Sequence, residues 1–372
     1  MTILHICNDL FGSRVHANLY AHLARRGVPQ IVFAPLRRQM DDSRDVLPED
    51  VPLIRAKVVR PFHRFFYHIK RRTIFRSADQ LVDWNSCDLI HASTFFSDGG
   101  VAYKAFRKYH IPYIITVRGA DVNHFLRLLP HAWLSGWRIL LHARKIVFVS
   151  KALMDKFSAS RVIRPILSRI QHKFILQPNG IDDFWCENVR REISDNQNVL
   201  YVGDFTDNKN VGRLIEAVVA LRKKPRFSQL QLTLVGGGRN ETDDILRLIE
   251  QNGDAVRYLG SERNKDRLRD IYREHSIFAM VSLHETFGLV YVEALSQDLA
   301  LLYTKGQGID GLFGPEVGVA SDPYSVDDIE RGLEKLLDER NSFTNENIDF
   351  EQFRWSSIAA RYQRIYEEEL GE

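Results

Sequence analysis

Apolar residues fall in short runs that alternate with amphipathic stretches along the whole chain. Residues 3–8 predict a strand, and 15–26 an amphipathic helix that Gly27 ends. Strands are predicted again at 30–34, 88–93, 112–117 and 145–150, with a helix over about 98–109 and helical stretches on both sides of 145–150. The pattern restarts after the Asn179-Gly180 turn and a polar stretch over 182–198. Strands follow at 199–203, 231–236, 256–259, 277–283 and 299–303. Helices are predicted at 211–222, near 242–251 and 265–273, from about 288, and near 326–337. A last helix over about 353–369 places Trp355, Ile358, Tyr362, Ile365 and Tyr366 at helical spacing.

Strands alternating with helices predict parallel sheets built from βαβ units. The expected fold class is α/β, with two tandem Rossmann-like domains over 1–180 and 181–352. Ligands of such sheets bind beyond the carboxyl ends of the strands. With two sheets, the expected site is the cleft between them.

The length of 372 residues, with 44% hydrophobic and 27% charged, fits two ordinary globular domains. No apolar run approaches the ~18 residues of a membrane span. The first residues lack a basic start followed by an apolar stretch, so no secretory signal is read. Cys7, Cys87 and Cys186 are too few and too far apart for a disulfide framework or a zinc site, and the cytoplasm is the expected compartment. The net charge of +3 conceals an asymmetry: residues 1–180 carry 28 Lys and Arg against 12 Asp and Glu, and the remainder 23 against 36. A basic first half favours an anionic partner: nucleic acid, a membrane surface or a phosphorylated acceptor.

Residues 284–294, His-Glu-Thr-Phe-Gly-Leu-Val-Tyr-Val-Glu-Ala, read as a strand end, a glycine turn and a helix start. A helix N-terminus offers free N–H groups to phosphate. Glu285 before the turn and Glu293 inside the helix are placed to accept hydrogen bonds from ribose or sugar hydroxyls. The same two residues also fit a loop glutamate and a solvated helix face. In 201–210, a strand ends at Gly203 and Lys209 follows as a point charge for a phosphate, or as a solvated loop lysine. Lys305-Gly306-Gln307-Gly308 permits close backbone approach or forms an ordinary turn. Arg118, after the 112–117 strand, either grips an oxyanion or lies buried and paired with Asp121. His91 at a strand end fits a satisfied core histidine better than a catalytic one.

The 284–294 segment resembles the signature of the retaining glycosyltransferases of family 4, which have the GT-B fold. Pro178-Asn179-Gly180-Ile181-Asp182, Phe148-Val149-Ser150 and Asp88-Leu89-Ile90-His91 resemble further segments of that family. The resemblance implies that Glu285 faces the donor sugar and Glu293 binds the ribose. It implies that amides near Gly288, Leu289 and Val290, after Phe287, hold the diphosphate. Gly12, Gly203 and Gly236 join these as donor-binding positions, and Glu285, Lys209 and Arg118 form the implied catalytic set. Asp204 stands where the family has an arginine, which leaves Arg213 or Lys305 as a replacement cation. Arg118 stands where the family often has a histidine near the reacting sugar.

The implied reaction is sugar transfer from a nucleotide-diphosphate sugar, a UDP-sugar as first choice, with retention. No metal and no cofactor are expected, and no Asp-x-Asp occurs in the sequence. The resemblance also implies that residues 353–372 cross back to an acceptor-binding domain over 1–180, that 181–352 binds the donor, and that closure about 180–182 and 350–354 assembles the site.

Residues 55–76 interleave eight Arg and Lys with five Phe and Tyr and contain no Asp or Glu. Read as a helix, this segment suits an anionic membrane surface, or packs by its aromatics with a solvated basic face. Arg60, Arg64, Lys70, Arg71 and Arg72 are its acceptor or membrane candidates, and 124–145 adds Trp133 and Trp137. The expected acceptor is a lipid-linked, lipopolysaccharide or capsule saccharide, at the inner face of the cell membrane. An oxidoreductase needs G-x-G-x-x-G, and Gly236-Gly237-Gly238 lacks the third glycine. A nucleic-acid-binding protein would lack any recognisable module. An epimerase or hydrolase on the same scaffold stays open, as does the oligomeric state.

Overall fold

The computed structural model describes every residue except 43, 45, 192–196, 238–241 and 372. Two parallel sheets carry the chain. The first contains β1 (Ile3–Ile6), β2 (Gln30–Arg37), β3 (Leu53–Val59), β4 (Leu89–Ala92), β5 (Tyr113–Val117), β6 (Ile146–Phe148) and β7 (Phe174–Leu176), in the order β3-β2-β1-β4-β5-β6-β7. The second contains β8 (Val199–Gly203), β9 (Leu232–Gly236), β10 (Val256–Tyr258), β11 (Ile277–Met280), β12 (Ala300–Thr304) and β13 (Gly318–Ser321), in the order β10-β9-β8-β11-β12-β13. Strands covered on both faces read as continuous apolar runs. All five residues of β5 and of β12 are accordingly buried.

The chain divides into two compact units. One comprises Met1–Val149, Leu153–Gly180 and Phe353–Glu372, and the other Ser150–Ala152 and Ile181–Gln352. In the first unit, the helix Trp355–Leu370 lies against the helix Arg14–Arg25. Its Trp355, Ile358, Tyr362 and Tyr366 join Ile3, Leu19, Tyr20 and Leu23 in one core. Each such side chain contributes roughly 1.5–3 kcal/mol by leaving water. His91 sits beneath this helix, its ring nitrogens paired with Tyr366 Oη at 2.8 Å and Thr116 Oγ1 at 2.9 Å. Burial above all, and Arg118 next, depress its pKa to about 3, so it is a neutral core histidine.

Strand order reverses at one place in each sheet: between β1 and β4, and between β8 and β11. Crossovers leave these two points in opposite directions, which opens a crevice at the carboxyl ends of the strands.

Some sequence expectations need correction. The 55–76 segment is not one helix. It begins inside β3, where Ala56 faces the core and Val58 and Val59 favour extended backbone, and Pro61 then opens a short 3-10 turn, Pro61–Arg64. Only Tyr67–Leu81 is α-helical. β7 and β13 were not anticipated: one has three residues, and the other starts on a glycine, so neither carries a strand pattern of its own. The strand expected over 277–283 ends at Met280, because residues 281–284 are taken up by side chains from a neighbouring turn.

Candidate active site

The β8/β11 reversal gathers most of the residues singled out in the second half of the chain. After Gly203 the chain reaches the 3-10 turn Asp207–Lys209. Asn208 fixes this turn to the segment beyond β11. Its side chain donates to His284 O at 2.9 Å and accepts from the His284 N–H at 3.0 Å, and its carbonyl accepts from the Leu283 N–H at 2.8 Å. Asn210, in the left-handed region at φ 60°, donates to Val281 O at 3.0 Å and Pro323 O at 2.8 Å. Lys209 is therefore held between two anchored asparagines. Its Nζ donates to Glu285 Oε2 at 2.7 Å.

Glu285 is fixed from the other side as well. Its Oε1 accepts from the Thr286 N–H at 3.0 Å, and its carbonyl from the Gly308 N–H at 3.0 Å. Gly308 adopts φ 55°, and a Cβ there would stand 3.0 Å from Glu285 Cγ. The two-glycine loop after β12 is thus the close backbone neighbour of Glu285.

Gly288, at φ 80°, starts the helix Leu289–Ser296, whose first turn no side chain caps. A Cβ on Gly288 would collide with the Tyr291 ring at 2.5 Å. The Leu289 and Val290 amides lie in that first turn, where helical N–H groups lack intrahelical partners and carry partial positive charge. The Phe287 side chain is buried, so the donor-binding expectation for that residue narrows to its backbone. Glu293 lies farther along the same helix. Burial, then the nearby Asp182 charge, pushes its carboxyl up to about 7, against opposing effects of Lys265 and Tyr272. Lys265 itself pairs with Asp182 at 2.5 Å. The Tyr272 hydroxyl is buried without a standard hydrogen-bond partner and sits close enough to Glu293 to be perturbed by it.

Gly203 and Gly236 pair across β8 and β9. A Cβ on Gly236 would come within 1.9 Å of Gly203 O, and φ there is 126°. Gly236→Ala is expected to lower stability by on the order of 3 kcal/mol, read as a shifted urea midpoint with an unchanged slope. Asp204 is exposed, with its carbonyl held by Tyr201 Oη at 2.6 Å. Of the replacement cations, Arg213 donates to Asn210 Oδ1 at 2.8 Å, and Lys305 is exposed beside the glycine loop.

In the first unit, Gly12 lies in an exposed turn after β1, where the Gly12 and Ser13 amides both donate to Asp9 O. Arg118 and Asp121 lie within electrostatic reach of each other, but no direct ion pair between them is among the described contacts. Asp121 accepts from the backbone N–H groups of Phe95, Phe96 and Arg118 at 2.9–3.0 Å. The Arg118 guanidinium donates instead to Ser93 O and to Asn179 Oδ1, both at 3.3 Å. Arg60 and Arg72 are exposed. Lys70 and Arg71 turn inward, which removes them from a membrane-facing surface: Lys70 Nζ donates to Ser97 Oγ at 2.9 Å, and Arg71 lies over the Tyr67 ring. The Arg64 side chain lies outside the described residues.

Sequence reasoning singled out the glycine loop that contains Gly308 but missed Asn208, Asn210 and Tyr272 as partners of this site. The left-handed asparagine after a short turn was the one local signal for them.

Residues 187–349 match the family described as glycosyl transferases group 1, and residues 12–183 the one described as Glycosyltransferase Family 4. A putative teichuronic acid biosynthesis glycosyltransferase, TuaC of Bacillus subtilis, is 25% identical over 68% of this chain and 62% of its own length. The GDP-mannose:cellobiosyl-diphosphopolyprenol alpha-mannosyltransferase of Komagataeibacter xylinus is 27% identical over 47% of this chain and 46% of its own. The alignments therefore span less than two thirds of either relative. Among solved structures, sucrose-phosphate synthase from Thermosynechococcus elongatus superposes with a TM-score of 0.73 at 19% identity, covering 100% of this chain and 99% of that one. Two parallel sheets with these strand orders, the two matched segments and the named relatives agree: the chain belongs to the family 4 glycosyltransferases of GT-B fold.

Proposed function

We propose that the protein transfers a hexose, with retention and without a metal, from a nucleotide-diphosphate sugar to a hydroxyl of a lipid-linked or surface-polysaccharide acceptor. The observation that carries this reading is the Lys209–Glu285 pair beside the uncapped helix start at Leu289, with Glu293 on the same helix. The helix amides and Lys209 meet the negative charge that develops on the leaving diphosphate. Glu285 orients the donor sugar, and Glu293 accepts from the ribose hydroxyls. The bond from the anomeric carbon to the phosphate oxygen breaks. The acceptor oxygen bonds the same carbon on the same face, and its proton passes to the departing diphosphate.

A lipid-borne acceptor is supported by two relatives: one is named for a cellobiosyl-diphosphopolyprenol acceptor, and another for teichuronic acid biosynthesis. Phe62, Phe65, Phe66 and Ile69, all exposed beside Arg60 and Arg72, suit a peripheral contact with an anionic bilayer. No helix among the described residues is long and apolar enough to cross a membrane.

Thermal melts with UDP, GDP and ADP, each with and without EDTA, test the donor site. One nucleoside diphosphate is expected to raise the midpoint by mass action, unchanged by EDTA and absent in Glu293→Ala. No rise with any of the three at millimolar concentration overturns the reading. A rise abolished by EDTA overturns metal independence. Release of free sugar without acceptor at the full transfer rate would make the protein a hydrolase.

A further inference from the structure

The first unit carries a cavity of about 390 Å³ at the amino edge of its sheet. It opens where the helix Trp133–His142 ends and where β6 and β7 begin. The Arg144 N–H donates to Tyr113 O, and the Ile115 N–H to Lys145 O, so this wall is pinned to the start of β5. The crevice at the β1/β4 reversal lies at the opposite, carboxyl edge of the same sheet.

The cavity is basic. His142, Arg144, Lys145, His172 and Lys173 line it, and Glu369 is the one carboxylate among the described lining residues. Lys145 Nζ already engages that carboxylate at 3.3 Å. Lys173, half-buried, donates to carbonyls at the end of the helix, Leu141 O at 2.8 Å and Ala143 O at 2.9 Å. Burial first, then the Arg144 and Arg169 charges, hold its pKa below the ordinary lysine value, against Glu369. Arg144 and His172 are exposed, and neither side chain makes a hydrogen bond or ion pair among the described residues. Like charges are thus gathered around one cavity whose carboxylate is taken, and their mutual repulsion is relieved when an anion arrives. Another wall is aromatic: Phe106 lines the cavity, its ring centroid 5.7 Å from that of His142.

We propose that this pocket binds a phosphate-bearing small molecule, with Arg144 and His172 donating to the phosphate and Phe106 lying against its organic part. A guanidinium presents paired donors to a phosphate, and an imidazole N–H adds one more. The volume lies in the range of small-molecule sites, whose usual lining is apolar surface with a few convergent polar groups. A bare anion would leave the Phe106 wall unused. The pocket belongs to the first unit alone and rests on neither the donor site nor the transferase reading.

The test is calorimetric titration of the full chain with AMP, glucose 6-phosphate and inorganic phosphate, at constant ionic strength and with UDP present to fill the donor site. At least one organic phosphate is expected to bind, and more tightly than inorganic phosphate. Its affinity is expected to fall on the order of tenfold in Arg144→Gln, and by a smaller factor in His172→Gln. Lys145 and Lys173 are left in place, because Glu369 and the helix end use them. An unchanged thermal midpoint without ligand shows that both variants fold. Preference for AMP assigns a nucleotide, and preference for glucose 6-phosphate a sugar phosphate. No binding at millimolar concentration, or equal binding in wild type and both variants, overturns the pocket. Equal affinity for inorganic and organic phosphate overturns the assignment of an organic ligand. If UDP itself fails to bind, the donor site is in question, and the same titrations without UDP, read through Arg144→Gln, still decide the pocket.

Discussion

Glu293→Gln is expected to stabilise the unliganded protein at pH 8 and to weaken its response to the donor nucleotide. Burial keeps the Glu293 proton in the folded state up to about pH 7, whereas the ordinary glutamate value is 4.5. Between those values the folded state binds more protons than the unfolded state, so stability falls as pH rises through that window. Above pH 7 the folded protein holds a buried carboxylate facing Asp182, at full cost. Glutamine removes that charge at nearly constant volume. The expected gain at pH 8 is about 2 kcal/mol, vanishing near pH 4.5, read from urea denaturation at the two pH values. Donor affinity of the wild type is expected to weaken as pH falls through 7, because the protonated carboxyl loses acceptor capacity. In the glutamine variant that pH dependence disappears. A variant that loses stability at pH 8 and still binds UDP normally would remove Glu293 from the ribose role.

Lys209→Met is expected to lower kcat by on the order of 10²–10³, as removal of one positioned charge from a leaving-group site does. The effect should exceed that on donor KM, since diphosphate charge grows toward the transition state. Asp204→Arg tests the same electrostatics in the opposite direction. Asp204 is exposed at the end of β8, where Lys209 already spends its charge on Glu285. Exchanging a negative for a positive group there is expected to tighten UDP binding about tenfold at low salt, with the gain shrinking as salt rises. Unchanged turnover in Lys209→Met, or weaker nucleotide binding in Asp204→Arg, would place the diphosphate elsewhere.

Much of the candidate site was legible because its residues sit at strand ends and helix starts, where local sequence states its own geometry. Gly288 before an apolar helix and Glu285 before the glycine are read directly from the residues in order. His91 was legible for a different reason: burial inside an apolar strand disfavours the charged form of a histidine. The 55–76 segment misled because its aromatic and basic residues dominate the composition. β3 is identified by pairing with β2, which is a long-range fact. Lys70 and Arg71 looked like surface cations for the same reason, and the helix that carries them packs against the helix Ser97–Tyr109 and turns them inward.

The sequence by itself determined the α/β class, the two parallel sheets, the restart of the pattern after Gly180, and the pairing of a helix start with two glutamates. Each follows from periodicity or from motifs short enough to be local. Only the tertiary structure decided which distant residues meet. It placed Asn208 and Asn210 on the segment beyond β11, so that Lys209 reaches Glu285 across 76 residues of chain. It put Gly308 against Glu285, gave Arg118 to Asn179 and Asp121 to backbone amides, and buried Glu293 and Asp98 deeply enough to hold their protons to about pH 7. Strand order is the physical reason. Hydrogen-bonded neighbours such as β8 and β11 are far apart in sequence, and burial and charge at their ends are set by what the sheet brings together.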